Sequence, residues 1–191
     1  MTALSCCLDE AATLDVSGLV SGITYIPSPN CDDRPEGTVV SLIVIHAISL
    51  PPGEFGGEGV VQLFTSRLDP DEHPYYAGIY TLRVSAHFLI RRDGAVIQFV
   101  PCEMRAWHAG VSTWQGRECC NDFSIGIELE GCDECPFEER QYRSLANLLA
   151  LIKHRYPHID VAGHSEIAAG RKTDPGPCFD WSRVRPGSRD A

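Results

Sequence analysis

Hydrophobic runs along the first half of the chain predict three strands. Residues 39–46 form a nearly continuous run of apolar, mostly β-branched side chains, which is typical of a strand buried on both faces. Residues 85–91 and 95–100 are two further apolar runs separated by an Arg-Asp-Gly turn, and Asp-Gly between such runs favours an antiparallel hairpin. We therefore expect a sheet that contains a buried strand and a hairpin.

Two more strands are predicted in the second half of the chain. Residues 124–130 alternate imperfectly between apolar and polar side chains, and Gly126 within them allows a close approach of neighbouring groups. Residues 161–163 form a short apolar segment that leads into His164. The run at 39–46 ends on His46, so both histidines are expected at one end of the same sheet, where the ligands of α/β proteins often converge.

Two helices are predicted between these strands. Residues 138–156 carry acidic side chains near the start, basic side chains near the end and Pro157 just beyond. Large apolar side chains recur there at spacings of three and four, namely Tyr142, Leu145, Leu148, Leu149 and Ile152. A shorter helix is expected over 60–68, after the Pro- and Gly-rich loop 51–59. The composition of this loop and of the stretch around His73-Pro74 predicts a lid over a neighbouring site.

The order of these elements predicts a single mixed α/β domain with a central sheet flanked by helices. Turn-forming residues in the segment 1–40 predict that it is an extended lead-in. We expect the domain proper to span residues 23–185, with a lead-in over 1–22 and a tail over 186–191. A length of 191 residues, with 43% hydrophobic and 22% charged side chains, is typical of one globular domain.

Charge and hydropathy argue against several classes of function. The formal net charge of -10 disfavours nucleic acid or an anionic membrane surface as a partner. No stretch reaches the roughly 20 consecutive apolar residues of a membrane span. Residues 1–17 lack the basic and apolar regions of a secretory signal. We therefore expect a cytoplasmic, monomeric protein with a small-molecule substrate.

The chain has nine cysteines, which in the absence of a secretion signal are expected to be reduced, several of them buried. Cys132 and Cys135 form a Cys-x-x-Cys pair, and Cys119 and Cys120 are adjacent. A structural zinc site built from these two pairs is an alternative, disfavoured because adjacent cysteines lack the usual ligand spacing. A redox role for Cys132 and Cys135 is also disfavoured, since the pair does not begin a helix that follows a strand.

A histidine, a lysine and an aspartate share a loop in which regular structure is excluded. The sequence of residues 163–177 is GHSEIAAGRKTDPGP, and its Asp-Pro-Gly-Pro end cannot continue a helix. Together with His46, the residues His164 and Asp174 supply two nitrogens and one oxygen, a set that suits catalytic Zn²⁺ with an open fourth position. The alternative is that both histidines are ordinary core residues and Asp174 only caps the loop.

Four further residues are candidates for catalysis or substrate binding. Glu128 lies in an apolar strand, where burial would give it a partner or the raised pKa of a general base, although an exposed glutamate paired with an arginine is the alternative. The ammonium group of Lys172 would stabilise the oxyanion that develops on a polarised carbonyl group. The alternative is that Lys172 is an ordinary solvated side chain. Trp107 and His108 supply an aromatic face and a donor for a sugar or peptide, against the alternative of a core tryptophan.

Seven ordered motifs give a more specific indication. They cover most of residues 26–181 and read IPSPN, VIHAISLPPGEFGG, LRVSAHFLIRRDG, RAWHAGVS, NDFSIGIELEG, GHSEIA and RKTDPGP. These motifs resemble the zinc N-acetylmuramoyl-L-alanine amidases of the peptidoglycan recognition protein and phage amidase superfamily, in particular the cytoplasmic members that recycle cell wall. The resemblance implies the amidase-like fold, with a zinc site at one end of the sheet.

The resemblance also implies a role for each matching residue. His46, His164 and Asp174 would bind Zn²⁺, Glu128 would act as the general base, and Lys172 would be the oxyanion partner. The implied reaction is hydrolysis of the amide between 1,6-anhydro-N-acetylmuramic acid and the L-alanine of a small muropeptide.

Two positions depart from the family pattern. The asparagine that commonly follows the first histidine is Ala47 here, and Cys119 stands where an arginine is common. The remaining candidates for binding the carboxylates of the stem peptide are Arg83, Arg105 and Arg117.

Two other functions compete with this interpretation. A binding module that recognises peptidoglycan without cleaving it would lack a metal ligand, and none is missing. A lytic enzyme that acts on intact wall, such as an autolysin or phage lysin, would require export or a wall-binding domain, and the sequence shows neither.

Overall fold

A six-stranded mixed sheet forms the centre of the protein. The structure is a computed structural model that describes residues 8–9 and 11–185. In chain order its strands are β1 (Thr24–Tyr25), β2 (Cys31–Asp33), β3 (Leu42–Ile48), β4 (Phe88–Ile90), β5 (Val96–Gln98), β6 (Met104–Ala106), β7 (Thr113–Trp114), β8 (Arg117–Glu118), β9 (Ser124–Glu130) and β10 (Asp160–Gly163). The sheet order is β1-β5-β4-β9-β3-β10. Strands β4 and β5 pair antiparallel and the other neighbours pair parallel.

Helices cover both faces of this sheet, and two small antiparallel ribbons, β2-β6 and β7-β8, lie beside it. The α-helices are α1 (Gly59–Phe64), α2 (Glu139–Arg155) and α3 (His164–Ile167), with short 3₁₀ turns at Tyr76–Gly78, Cys120–Phe123 and Trp181–Arg183. A capping box between Glu138 and Gln141 begins α2. The mixed α/β class, with one sheet flanked by helices, is confirmed.

The two faces of the sheet differ in chemistry because successive strand residues point to opposite sides. The face of β3 and β9 toward α2 is purely apolar and fully buried; it consists of Ile43, Ile45, Ile125, Ile127 and Leu129. On the other face Leu42 and Val44 belong to a separate apolar cluster. Ser124 and Gly126 of β9 lie opposite these two residues, and further along the same face are His46 on β3 and Glu128 and Glu130 on β9.

The strand predicted at 39–46 is present, but its predicted ends are wrong. Strand β3 runs over Leu42–Ile48, because its parallel pairing with β9 continues through Ile48 opposite Glu130. His46 is therefore an interior residue of the strand, two positions before its end. The hairpin of β4 and β5 is confirmed, although both strands are shorter than their apolar runs. The helix predicted at 60–68 is also shorter and ends at Phe64.

Residues 8–9 and 11–40 are more structured than the predicted extended lead-in. Strand β1 pairs with β5 and forms one edge of the main sheet. Leu8, Ala12 and Val20 are buried in the same core as α2, and the Val20 amide donates to the Gln98 side chain. The segment also contacts the middle of α2, where the Asn147 side chain donates to the Leu8 carbonyl oxygen. Cys6, Cys7 and the predicted tail at 186–191 lie outside the described residues.

The Pro- and Gly-rich loop 51–59 is tied to the ends of β4 and β9. The Gly56 amide donates to Glu130, and Arg91 donates to the carbonyl oxygens of Gly56 and Gly57 and to the Glu58 carboxylate. A lid function of this loop stays a prediction. Across residues 8–9 and 11–185, no helix has both the length and the apolar character needed to span a membrane.

Candidate active site

Three metal-binding side chains meet at the C-terminal ends of β3 and β10. These strands pair in parallel, with Ile45 opposite Gly163, so that His46 and His164 lie side by side just beyond. The loop after α3 returns along this edge and is held there by a hydrogen bond from the Ser165 amide to the Asp174 carbonyl oxygen. The expected convergence of His46, His164 and Asp174 is therefore present in the structure.

The ligand atoms of these three residues form a nearly equilateral triangle. His46 Nδ1 lies 3.0 Å from His164 Nδ1 and 3.1 Å from Asp174 Oδ2, and His164 Nδ1 lies 3.0 Å from Asp174 Oδ2. Ligands about 2.0–2.1 Å from a tetrahedral metal are separated by about 3.3 Å, close to these distances. Two imidazole nitrogens and one carboxylate oxygen at this spacing fit a divalent metal ion.

The protonation of the histidines agrees with metal binding. His164 Nε2 lies 3.1 Å from the Ala109 carbonyl oxygen, which can only accept, so Nε2 carries the proton and Nδ1 presents a lone pair. His46 is only 1% exposed, and this burial lowers the pKa of its imidazole to about 4. The neutral imidazole is the form that binds metal.

The alternative zinc site made of cysteines is wrong. In the part of the chain that the structure describes, the His46, His164 and Asp174 cluster is the one group of three or more metal-binding side chains close enough to share an ion. Cys119 and Cys120 do not approach Cys132 and Cys135 in this way, because they lie at opposite ends of β9. All cysteines among the described residues are free thiols, and Cys102 and Cys120 are buried.

Glu128 lies beside the metal-binding residues in the centre of the sheet. It is opposite His46 on β3 and opposite Leu89 on β4, so the alternative of an exposed edge-strand glutamate is wrong. The residue is 8% exposed, and its Oε2 atom is buried with no hydrogen-bond donor among the described residues. Burial raises the pKa of Glu128 well above its usual range, the negative charge of Asp174 raises it further, and Lys172 opposes them.

These residues form the polar end of a cavity of about 230 Å³. Lys172 is exposed at its edge. The apolar side chains that line the same cavity are Ala47, Ile48, Leu63, Phe64, Leu82 and Val84. The cavity therefore places a metal site, a carboxylate and an ammonium group against a surface that can receive the apolar parts of a ligand.

Trp107 and His108 also line the cavity, as expected. The Trp107 indole nitrogen donates to Asp32, which fixes the ring without burying it fully. Both ring nitrogens of His108 are used inside the protein, at 2.9 Å from His46 Nε2 and 3.1 Å from Ser124 Oγ. The expectation that His108 offers a free donor to a substrate is therefore wrong.

The three arginines expected to bind substrate carboxylates lie in different places. Arg83 is exposed and lies in sequence between the cavity-lining residues Leu82 and Val84; it does not line the cavity itself, and it donates to the Thr81 and Leu82 carbonyl oxygens. Arg105 does not line the cavity, because it is held in ion pairs with Asp32 and Asp122. The expectation for Arg117 is wrong: its guanidinium stacks on Phe123 and donates to Ser41. Ser41 precedes His46 by five residues, about 16 Å along a strand.

Sequence reasoning missed two residues that support the site. The Asn121 side-chain oxygen accepts from the amides of both His108 and Ala109, at 3.1 and 2.8 Å. The Ser124 hydroxyl connects His108 to the Cys120 carbonyl oxygen. Asn121 and Ser124 both lie within the NDFSIG motif. Their contacts with His108 and Ala109 join positions 12–16 residues apart, and no sequence periodicity predicts contacts at that separation.

A comparison with known families identifies the class of enzyme. The chain belongs to the N-acetylmuramoyl-L-alanine amidase family, whose model matches residues 36–177. It is 59% identical over 170 residues to the 1,6-anhydro-N-acetylmuramyl-L-alanine amidase AmpD of Citrobacter freundii, an alignment that covers 88% of this chain and 91% of that protein.

Solved structures give the same result. The crystal structure of a selenomethionine AmpD derivative has a TM-score of 0.88 and 56% identity, covering 91% of this chain and 97% of its own. The amidase AmiD from E. coli has been solved with the substrate anhydro-N-acetylmuramic acid-L-Ala-D-gamma-Glu-L-Lys. It has a TM-score of 0.55 and 31% identity, covering 79% of this chain and 59% of that one.

Gly126→Ala tests the packing of the site. A Cβ atom at Gly126 would lie 2.5 Å from Cγ of His108, so the ring must move. We expect the free energy of unfolding, measured by urea denaturation, to fall by about 1–3 kcal/mol. Gly78→Ala is the control, because a Cβ there meets no atom within 4 Å. Equal stability of the two variants would show that His108 is not packed against β9.

Proposed function

We propose that the protein is a zinc-dependent amidase that hydrolyses the amide between 1,6-anhydro-N-acetylmuramic acid and L-alanine in small muropeptides. The observation that carries this proposal is the convergence of His46, His164 and Asp174 within 3.0–3.1 Å beside the unpartnered carboxylate of Glu128. The AmpD relative named for this activity and the AmiD structure solved with such a substrate support the choice of substrate.

The donor set suits zinc. Two imidazole nitrogens and one carboxylate form a common protein ligand set for catalytic zinc, which leaves a fourth position open. Zinc bound here would polarise the amide carbonyl and lower the pKa of water. Both histidines present Nδ1, and Asp174 supplies the anionic oxygen.

Glu128 acts as the general base in this proposal. Glu128 lines the cavity next to His46, His164 and Asp174, and its carboxylate is the group there that can take a proton from the attacking water. The raised pKa of its carboxyl allows Glu128 to hold that proton until the leaving amine accepts it. No covalent intermediate on the protein is required.

Lys172 has two roles in the proposal. Its ammonium group lines the same cavity and stabilises the negative charge that develops on the amide oxygen. Its positive charge also lowers the pKa of Glu128, which keeps more of that carboxylate ionised before the reaction.

The substrate is a soluble fragment of cell wall in this proposal. Trp107 and the apolar side chains of the cavity receive the sugar and the alanine methyl group, and Arg83, between Leu82 and Val84, meets a carboxylate of the stem peptide. The protein works as a cytoplasmic monomer in peptidoglycan recycling.

Glu128→Gln tests the general base. The variant keeps the shape of the side chain but cannot accept the proton, so we expect turnover to fall at least about 100-fold while zinc content is unchanged. Glu130→Gln is the matched control, because Glu130 is buried on the same face of β9 but accepts from the Gly56 and Arg92 amides. It should unfold at lower temperature and keep its turnover. Near-normal turnover of Glu128→Gln would remove Glu128 from the mechanism.

Lys172→Met tests the electrostatic coupling to Glu128. The base is active when ionised, so kcat/KM decreases as the pH falls through the pKa of Glu128. Loss of the lysine charge raises that pKa, and the acid limb of the pH profile should therefore move to higher pH, together with a lower maximum. Lys153→Met, on the exposed last turn of α2, should leave the profile unchanged. An unshifted acid limb in Lys172→Met would contradict the coupling.

A comparison of two substrates tests the proposed function itself. The protein is incubated with intact sacculi and, separately, with soluble anhydro-muropeptides, and the products are identified by mass. We expect cleavage of the soluble substrate into the anhydro sugar and a free peptide that begins with L-alanine. Efficient digestion of sacculi without preference for the anhydro sugar would instead support a lytic enzyme.

A further inference from the structure

The contacts of His108 determine where its ring proton lies. Ser124 Oγ is 2.5 Å from the Cys120 carbonyl oxygen, and because a carbonyl only accepts, the hydroxyl proton must lie between these two oxygens. Ser124 Oγ is also 3.1 Å from His108 Nε2. With its one proton already engaged, the hydroxyl oxygen accepts from Nε2. His108 therefore carries its proton on Nε2 and a lone pair on Nδ1.

This lone pair in turn fixes the tautomer of His46. His108 Nδ1 lies 2.9 Å from His46 Nε2, so the His46 nitrogen must be the donor. The neutral His46 ring then has its lone pair on Nδ1, the atom that faces His164 and Asp174. A chain of three hydrogen bonds thus runs from a backbone carbonyl to a metal-binding nitrogen.

Ala109, the residue after His108, fixes the tautomer of His164 in the same way. The Ala109 carbonyl oxygen accepts from His164 Nε2 at 3.1 Å and leaves His164 Nδ1 free. The amides of His108 and Ala109 are both held by the side-chain oxygen of Asn121. Gly126 provides the space in which the His108 ring lies against β9. One dipeptide on a fixed backbone therefore orients both imidazoles of the site.

We infer that His108 and Ala109 form the positioning element of the metal site, which holds His46 and His164 in the tautomer that presents Nδ1 to the ion. His108 is thus a positioning residue for a ligand and makes no polar contact with substrate. The inference rests on the proposed zinc site. Partners of this kind fix ring orientation and raise ligand basicity, and their loss typically weakens metal binding by about 10–100-fold.

The test compares two substitutions of His108. His108→Leu removes the acceptor for His46, and we expect the zinc dissociation constant, measured on the full chain by competition with a chelator, to rise about 10–100-fold. His108→Asn places its side-chain oxygen near the position of Nδ1, and it should recover most of the affinity. An equal loss of zinc affinity in both variants would show that His108 acts only through packing, and it would overturn the inference.

Two further variants separate positioning from stability. Ile90→Ala removes buried side-chain atoms from β4 on the face toward α2, so it should destabilise the fold while its zinc dissociation constant stays at the wild-type value. Ser124→Ala deletes only the hydroxyl that orients His108 and should weaken zinc binding by a smaller factor. If His108→Leu does not fold, Ser124→Ala decides the question, and unchanged zinc affinity in that variant would overturn the chain of hydrogen bonds.

Nitrogen-15 NMR of the metal-free full chain provides a readout that does not depend on zinc. We expect His46 to show a protonated Nε2 and an unprotonated Nδ1 in the wild type, and a mixture of tautomers in His108→Leu. A protonated Nδ1 in the wild type would overturn the inference. Failure of the wild-type protein to bind zinc would instead overturn the proposed function, so the two failures are distinguishable.

Discussion

The parallel register between β3 and β9 is the constraint on which the site depends. It sets His46 opposite Glu128 and sends both side chains to the same face of the sheet. A shift of one strand by one residue would turn its own polar group, His46 on β3 or Glu128 on β9, toward α2 and separate the two. The apolar face against α2 therefore fixes the register, and the register fixes the distance between a metal ligand and the proposed base.

The candidate metal-binding atoms are held close together from behind each imidazole ring. His46 Nδ1, His164 Nδ1 and Asp174 Oδ2 lie within 3.0–3.1 Å of one another. His46 Nε2 contacts His108 and His164 Nε2 contacts the Ala109 carbonyl oxygen, so both rings are fixed on the side away from the cluster. Contacts of this kind preorganise a group of ligand atoms for one geometry.

The sequence predicts elements whose signal is local and misses contacts whose origin is tertiary. The hairpin, α2, the strand that carries His46 and the strand that leads into His164 follow from periodicity and turn chemistry, and the motifs add the ligand set. The predicted end of β3 is wrong because pairing with β9, and not local propensity, extends the strand to Ile48. The prediction for Arg117 is wrong because an arginine in a motif does not reveal which end of a strand it approaches. His108 is predicted to donate to a substrate, whereas its contacts show that both ring nitrogens are already used within the protein.

Two glutamates on the same face of β9 show how the site differs from the fold around it. Glu130 is buried, and its two oxygens accept from the amides of Gly56 and Arg92. Glu128, two residues earlier, is nearly as buried, yet one of its oxygens has no donor among the described residues. An unsatisfied buried carboxylate oxygen costs about 1–3 kcal/mol or more. Since the same strand satisfies one glutamate fully, the unsatisfied oxygen of Glu128 sets this residue apart and supports its proposed role as the base.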